Sequence, residues 1–212
     1  MILFMHAAPV SVGATENAIE RLPHQLQARH ALVTDLVDPR ATSFVEDDAA
    51  YIKLERAVAA HRNGDEARIV LSCSVYNGFA PRLQESLGLP VERSDDAALR
   101  AAIACGPRIA LAVSYPPSYE IIESHLRAVA AELGRPVAPI SLLAENAFAF
   151  AGDQERYAAV LQDAVGRARD VDCVVLAQFS MDPYAAKVAR RTELPVLSAL
   201  TACLRRLASP SV

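Results

Sequence analysis

The segment from Ile69 to Val91, IVLSCSVYNGFAPRLQESLGLPV, aligns without a gap on the segment from Val174 to Val196, VVLAQFSMDPYAAKVARRTELPV. Leu71 falls opposite Leu176, Ser72 opposite Ala177, and the Leu-Pro-Val at 89–91 opposite the Leu-Pro-Val at 194–196. A second pair, ILFMHAAPVS (Ile2 to Ser11) and IALAVSYPPS (Ile109 to Ser118), sets Pro9 against Pro116 and Ser11 against Ser118. The two spacings nearly agree and lie close to half of the 212-residue chain. A chain of this kind is a doubled unit, and each copy has to solve the same packing problem.

Short apolar runs alternate with longer amphipathic ones. ILFMHA, ALVTDL, RIVLSC, RIALAVS, PVAPIS and CVVLAQ read as strands. They lack polar alternation, so they are expected to be buried on both faces. Helices are expected over 47–61, 78–87, 118–133, 153–169 and 183–192. Asp47 and Asp48 suit a helix start, and Gly134 with Pro136 marks a helix stop. Strand–helix alternation with buried strands predicts an α/β fold: two Rossmann-like lobes with parallel sheets, related by a pseudo-two-fold repeat. Ligands in such folds sit at the C-terminal ends of the strands. The cleft between the two sets of strand-end loops is therefore the expected active site. The first lobe is expected to comprise residues 1–94 together with 198–212, and the second 95–197.

The bulk properties narrow the function. At 52% hydrophobic the chain is able to bury a full core. A net charge of −4 argues against nucleic acid as a partner. The opening MILFMHAAPV is apolar but has no basic leader and is too short to span a bilayer. It reads as the first buried strand of a cytoplasmic protein with no membrane partner. No HxxxH, HExxH or CxxC pattern occurs, so a metal is not expected, and no GxGxxG or GxxxxGK[ST] indicates a nucleotide cofactor.

Of the four cysteines, Cys105 ends an Ala-rich helix, Cys173 opens a strand and Cys203 lies in the last helix. All three suit packing. Cys73 differs, because it ends a strand between Ser72 and Ser74 with a helix to follow. A thiol titrates near working pH, and a helix N-terminus is expected to lower it further. The repeat places Gln178 opposite Cys73.

These segments resemble the aspartate/glutamate/hydantoin racemase superfamily over nearly the whole chain. VLSCS with its helix and GLPV is similar to the first cysteine loop of that superfamily. PRIALAVSYPPS is similar to the loop whose hydroxyls hold a substrate carboxylate, and DCVVLAQFSM to the second cysteine loop. The opening HAAPVSV is similar to that of uncharacterised members. The resemblance implies a cofactor-independent isomerase working at carbon next to the carboxylate of a small acid. Cys73 would be its acid–base or nucleophile. It breaks at Gln178, where racemases usually carry a second cysteine, and Cys173 lies at the wrong end of its strand to substitute. A two-thiol mechanism therefore does not transfer. A lyase of the arylmalonate decarboxylase type and a non-catalytic carboxylate binder are the alternatives.

The hydroxyls that the pattern places for substrate binding are Ser11, Ser74, Ser114 and Ser118, with Gln178 as a hydrogen-bonding partner. As a set on facing loops they suit an anion pocket, although each singly also suits a turn or a cap. His6, Tyr76 and Tyr115 are accessory acid–base candidates, and Asp182 reads as a helix cap. The partner expected is a small-molecule carboxylate. Oligomeric state is left open, and a homo-oligomer, common among relatives, is one outcome.

Overall fold

The computed structural model describes the whole chain except Pro39, Asn146, Ala151 and residues 210–212, and the side chains of Phe148 and Ala149. The last three residues assigned to the first lobe therefore lie outside the described part. The order is β1 (Ile2–His6), α1 (Pro9–Glu20), β2 (Ala28–Leu32), α2 (Asp48–His61), β3 (Arg68–Leu71), α3 (Ala80–Leu87) and β4 (Val91–Arg93). It continues with α4 (Asp96–Cys105), β5 (Arg108–Val113), α5 (Ser118–Glu132), β6 (Ala138–Leu143), α6 (Gln154–Gly166), β7 (Cys173–Leu176), α7 (Ala185–Ala189), β8 (Val196–Ser198) and α8 (Ala199–Ala208).

Two four-stranded parallel sheets result, ordered β2-β1-β3-β4 and β6-β5-β7-β8. The second order is the first shifted by four strands, so the sequence repeat is a repeat of topology. Each Leu-Pro-Val leads into the short strand that closes its sheet, pairing Ile69 with Val91 and Val174 with Val196.

Side-chain alternation along the central strands fills three cores. Leu3, Met5, Ile69 and Leu71 face α2 and α3. Ala110, Ala112, Val174 and Leu176 face α6 and α7. Their alternate neighbours, among them Phe4, Val70, Leu111 and Val175, share one core with α4, α5 and α8 between the sheets. α8 packs on α4 and α1. Local signals set the helix ends. The Asp47 carboxylate accepts from the Ala50 N–H at 2.8 Å, and Asp153 from that of Arg156 at 3.1 Å. Gly134, at φ 64°, follows α5.

Four expectations need correction. The strand expected over 31–36 lies at Ala28–Leu32, and Thr34–Leu36 is a 3-10 turn. Register with β1 starts at Ile2 opposite Ala28, which fixes the earlier start. The strand expected over 136–141 runs instead through Leu143, paired from Arg108 opposite Ala138. Burial on both faces fails for β2 and β6, because each is an edge: only Ala31 and Leu142, respectively, are buried. The helices expected from Gly78 and Pro183 also start differently. Residues Ser74–Phe79 and Phe179–Tyr184 form 3-10 turns, and the α-helices begin after them.

Candidate active site

The ends of β1, β3, β5 and β7 surround a pocket with an empty volume of about 490 Å³, open mouth included. Only about 50 Å³ of it is open to the centre of a water-sized sphere, so it is a small site. Cys73, Ser11, Ser74, Ser118, Gln178 and Tyr115 all line it, so the structure brings together most of the site residues expected from sequence. Ser72 and Ser180 line it too, with an apolar remainder that includes Ala7, Val10, Val37 and Phe179. No Arg, Lys, His, Asp or Glu is among the lining residues. Hydrogen-bond donors on neutral groups are what an anion would meet there.

Cys73 is the second residue after β3 and is half-buried. Burial among the surrounding apolar atoms pushes its thiol up to about 12, against a lowering contribution from the Val75 N–H. The expectation that a helix N-terminus would depress it is therefore corrected. The residues behind it are a tight 3-10 turn, and one N–H does not offset the desolvation. At neutral pH the sulfur carries its proton.

Gln178 occupies the same place after β7 and is held from two sides. Its Oε1 accepts from the Ser114 N–H at 2.7 Å and from Ser114 Oγ at 2.8 Å, and its Nε2 donates to Ser118 Oγ at 3.2 Å. Ser74 Oγ, from the cysteine loop, also donates to Ser118 Oγ at 2.8 Å. Ser118 thus accepts two bonds, and neither uses its own proton, which is available to a bound oxygen. Behind this group Tyr157 places its hydroxyl 3.2 Å from both Ser114 Oγ and Ser180 Oγ.

Three expected residues take different positions. Ser114 does not line the pocket; it grips Gln178. Tyr76 is buried away from it, donating to the Leu36 carbonyl, and burial raises its phenol. His6 is fully buried behind Ser11 and Ser72, and burial followed by the neighbouring His30 lowers its imidazole to about 3. Tyr115 does reach the pocket, with its hydroxyl donating to the Asp38 carbonyl at 2.7 Å and its phenol raised by burial to about 12.

Asp182 lies outside the pocket and does not cap the helix that follows it. It accepts from Ser198 Oγ at 2.5 Å and Thr201 Oγ1 at 2.6 Å, and pairs with Arg21 at 3.2 Å. Its repeat mate Asn77 bonds Ser94 after β4 at 2.9 Å. Both loops thus anchor themselves to the strand that closes their sheet. Among the described residues no group of three His, Cys, Asp or Glu side chains converges as a metal site, and no helix is long and apolar enough to cross a membrane.

Comparison with known proteins places this arrangement. No protein-family model matches the chain, and no curated protein does. Solved structures do match. Glutamate racemase isoform RacE1 from Bacillus anthracis superposes with a TM-score of 0.76 at 14% identity, over 98% of this chain and 80% of that one. Allantoin racemase from Klebsiella pneumoniae gives 0.67 at 17% identity, over 97% and 85%. Arylmalonate decarboxylase gives 0.59 at 20% identity, over 100% and 94%. The chain therefore shares the two-lobed α/β fold of these racemases and of arylmalonate decarboxylase, the fold that its repeat leads one to expect.

Proposed function

We propose that this protein is a cofactor-independent enzyme that forms and reprotonates a carbanion beside the carboxylate of a small acid. Cys73 is its proton-carrying group. The observation that carries this reading is the meeting of a strand-end thiol with uncharged donors in one pocket: Ser118, held by Ser74, and Gln178 beside Cys73. Fixed donors around a carboxylate stabilise the charge that develops when a proton or carbon dioxide leaves the neighbouring carbon. Donors already oriented by the Ser114 and Tyr157 contacts need little reorganisation. The superfamily fold favours isomerisation, for which the Cys73 thiol must first give up its own proton before it takes one from carbon or adds to a double bond. A second reading, decarboxylation, is favoured by the raised thiol. A sulfur that keeps its proton at neutral pH suits a donor to a carbanion made by loss of carbon dioxide.

The test is an NMR screen of small carboxylic acids in heavy water with wild type and Cys73→Ala. An isomerase exchanges an α-proton or interconverts isomers, whereas a lyase consumes a malonate-type acid. Either activity disappears in Cys73→Ala. If an acid raises the melting temperature and none is exchanged, isomerised or decarboxylated, the protein is a binder and the enzymatic reading falls.

A further inference from the structure

Behind the pocket wall a chain of hydrogen bonds leads away from the substrate side and towards solvent. His6 Nδ1 lies 3.0 Å from Ser11 Oγ and 2.8 Å from Ser72 Oγ, and both serines line the pocket. His6 Nε2 lies 2.9 Å from His30 Nδ1. His6 is fully buried, whereas His30, on the edge strand β2, is partly exposed. Phe4 stacks on His30 at 5.4 Å and helps to hold the ring. Glu16, from α1, is the acid whose charge acts on His30.

The direction of these bonds follows from counting protons. Ser11 Oγ donates to the Ala8 carbonyl at 2.7 Å, and Ser72 Oγ to the Met5 carbonyl at 2.9 Å. Each hydroxyl has one proton and has used it, so both can only accept from His6. His6 Nδ1 therefore carries the hydrogen. A neutral imidazole has only one, so Nε2 accepts, and His30 Nδ1 is the donor. The whole chain points inward, from the protein edge to the pocket.

The geometry points to a proton relay, His30 to His6 to Ser72 or Ser11, that links the inner wall of the pocket with solvent at the opposite edge of the sheet. The inference rests on the carbanion reading for its purpose. His30 takes a solvent proton on Nε2 and passes the one on Nδ1 to His6 Nε2. His6 passes its Nδ1 proton to the serine oxygen, and that hydroxyl turns and gives its own proton to carbon. One proton enters and one leaves at every group. Both rings finish neutral with the hydrogen on Nε2, which is the form that accepts a proton from the pocket. A proton removed from carbon in the reverse direction restores the first state. This supplies a second proton path where Gln178 has none to give.

The experiment reads the relay without turnover. Long-range proton–nitrogen NMR on nitrogen-labelled wild type at neutral pH is expected to show His6 as the neutral Nδ1–H tautomer, with His30 donating from Nδ1. In His30→Gln, whose amide still donates a hydrogen bond but does not titrate, the exchange of the His6 Nδ1 proton with solvent slows on the order of tenfold. His6 protonated on Nε2 in wild type overturns the relay, whatever the variant does. So does an exchange rate unchanged in a folded His30→Gln. A blank acid screen together with the expected tautomers and slowed exchange removes the functional reading and leaves the relay standing.

Discussion

Cys73 holds its proton because its neighbourhood is poor in charge and rich in carbon, and that has a direct chemical signature. A free thiol titrates near 8.5, and this one near 12. Its thiolate fraction at neutral pH is therefore lower by roughly a thousandfold. With iodoacetamide the exposed Cys105 is expected to react first and Cys73 much later. The Cys73 rate should keep rising with pH well beyond the point where an ordinary thiol levels off. Peptide mapping by mass spectrometry across a pH series checks both. At Gln178 the expected change is of a different kind. Gln178→Glu keeps the shape but puts a negative charge where a carboxylate would dock and removes the donor to Ser118. Binding of any acid found in the screen should weaken by about tenfold or more, because one hydrogen bond to a charged group is worth about 1.5–3 kcal/mol. Titration calorimetry measures it.

The two strand-end loops differ at their tips but share one way of being tied down. Asp182 draws Ser198, Thr201 and Arg21 together, and it is almost wholly buried. Asp182→Ala leaves those donors without their acceptor. It is expected to lower stability by about 1.5–3 kcal/mol in urea unfolding, since hydrogen bonds to a buried charged group are at the strong end of the range. The loops also show what sequence does and does not reveal. The repeat exposes both of them, because gapless spacing reflects strand, turn and helix lengths that packing fixes. Cys73, Ser74, Ser118 and Gln178 were legible for the same reason. Tyr157 and His30 were not. Tyr157 is one aromatic in a buried helix face, and its partner Ser114 is 43 positions away. His30 sits on an edge strand whose start was misjudged, since edge strands lack the apolar run that marks central ones. Ser114 and His6, expected at the pocket, sit one layer behind it. Periodicity gives a strand's end and does not say which side chain there faces the cavity.

Because Phe4, Val70, Leu111 and Val175 belong to one shared core, neither lobe closes its own interior. We propose the division after residue 94 as one of topology, with unfolding cooperative across both halves. Far-UV circular dichroism and tyrosine fluorescence, in a chain without tryptophan, should give coincident urea transitions. Acidity should weaken the whole molecule through its buried imidazoles. His6 titrates near 6.5 when unfolded but at about 3 in the fold, so the unfolded state binds the proton more readily. Stability then falls as pH drops below 6.5 and goes on falling towards 3, by about 1.4 kcal/mol per pH unit for this group. His30, lowered by burial against the pull of Glu16, adds to the loss. His125 works the other way. Burial lowers it, but its bonds to Asp95 and Asp96 prevail and raise it, so its contribution is full below the unfolded value and fades as pH rises through the folded one. Urea midpoints measured across this range should decline with acidity, two rings against one.

The mismatch between the repeated halves, sulfur in one and amide in the other, bears on stereochemistry. Cys73, Ser72 and Ser11 all belong to the amino-terminal copy of the repeat, and protons supplied from one lobe are expected to reach one face of a trapped planar carbon. A prochiral intermediate quenched there acquires one handedness, and chromatography on a chiral column would find a single enantiomer rather than an equal mixture.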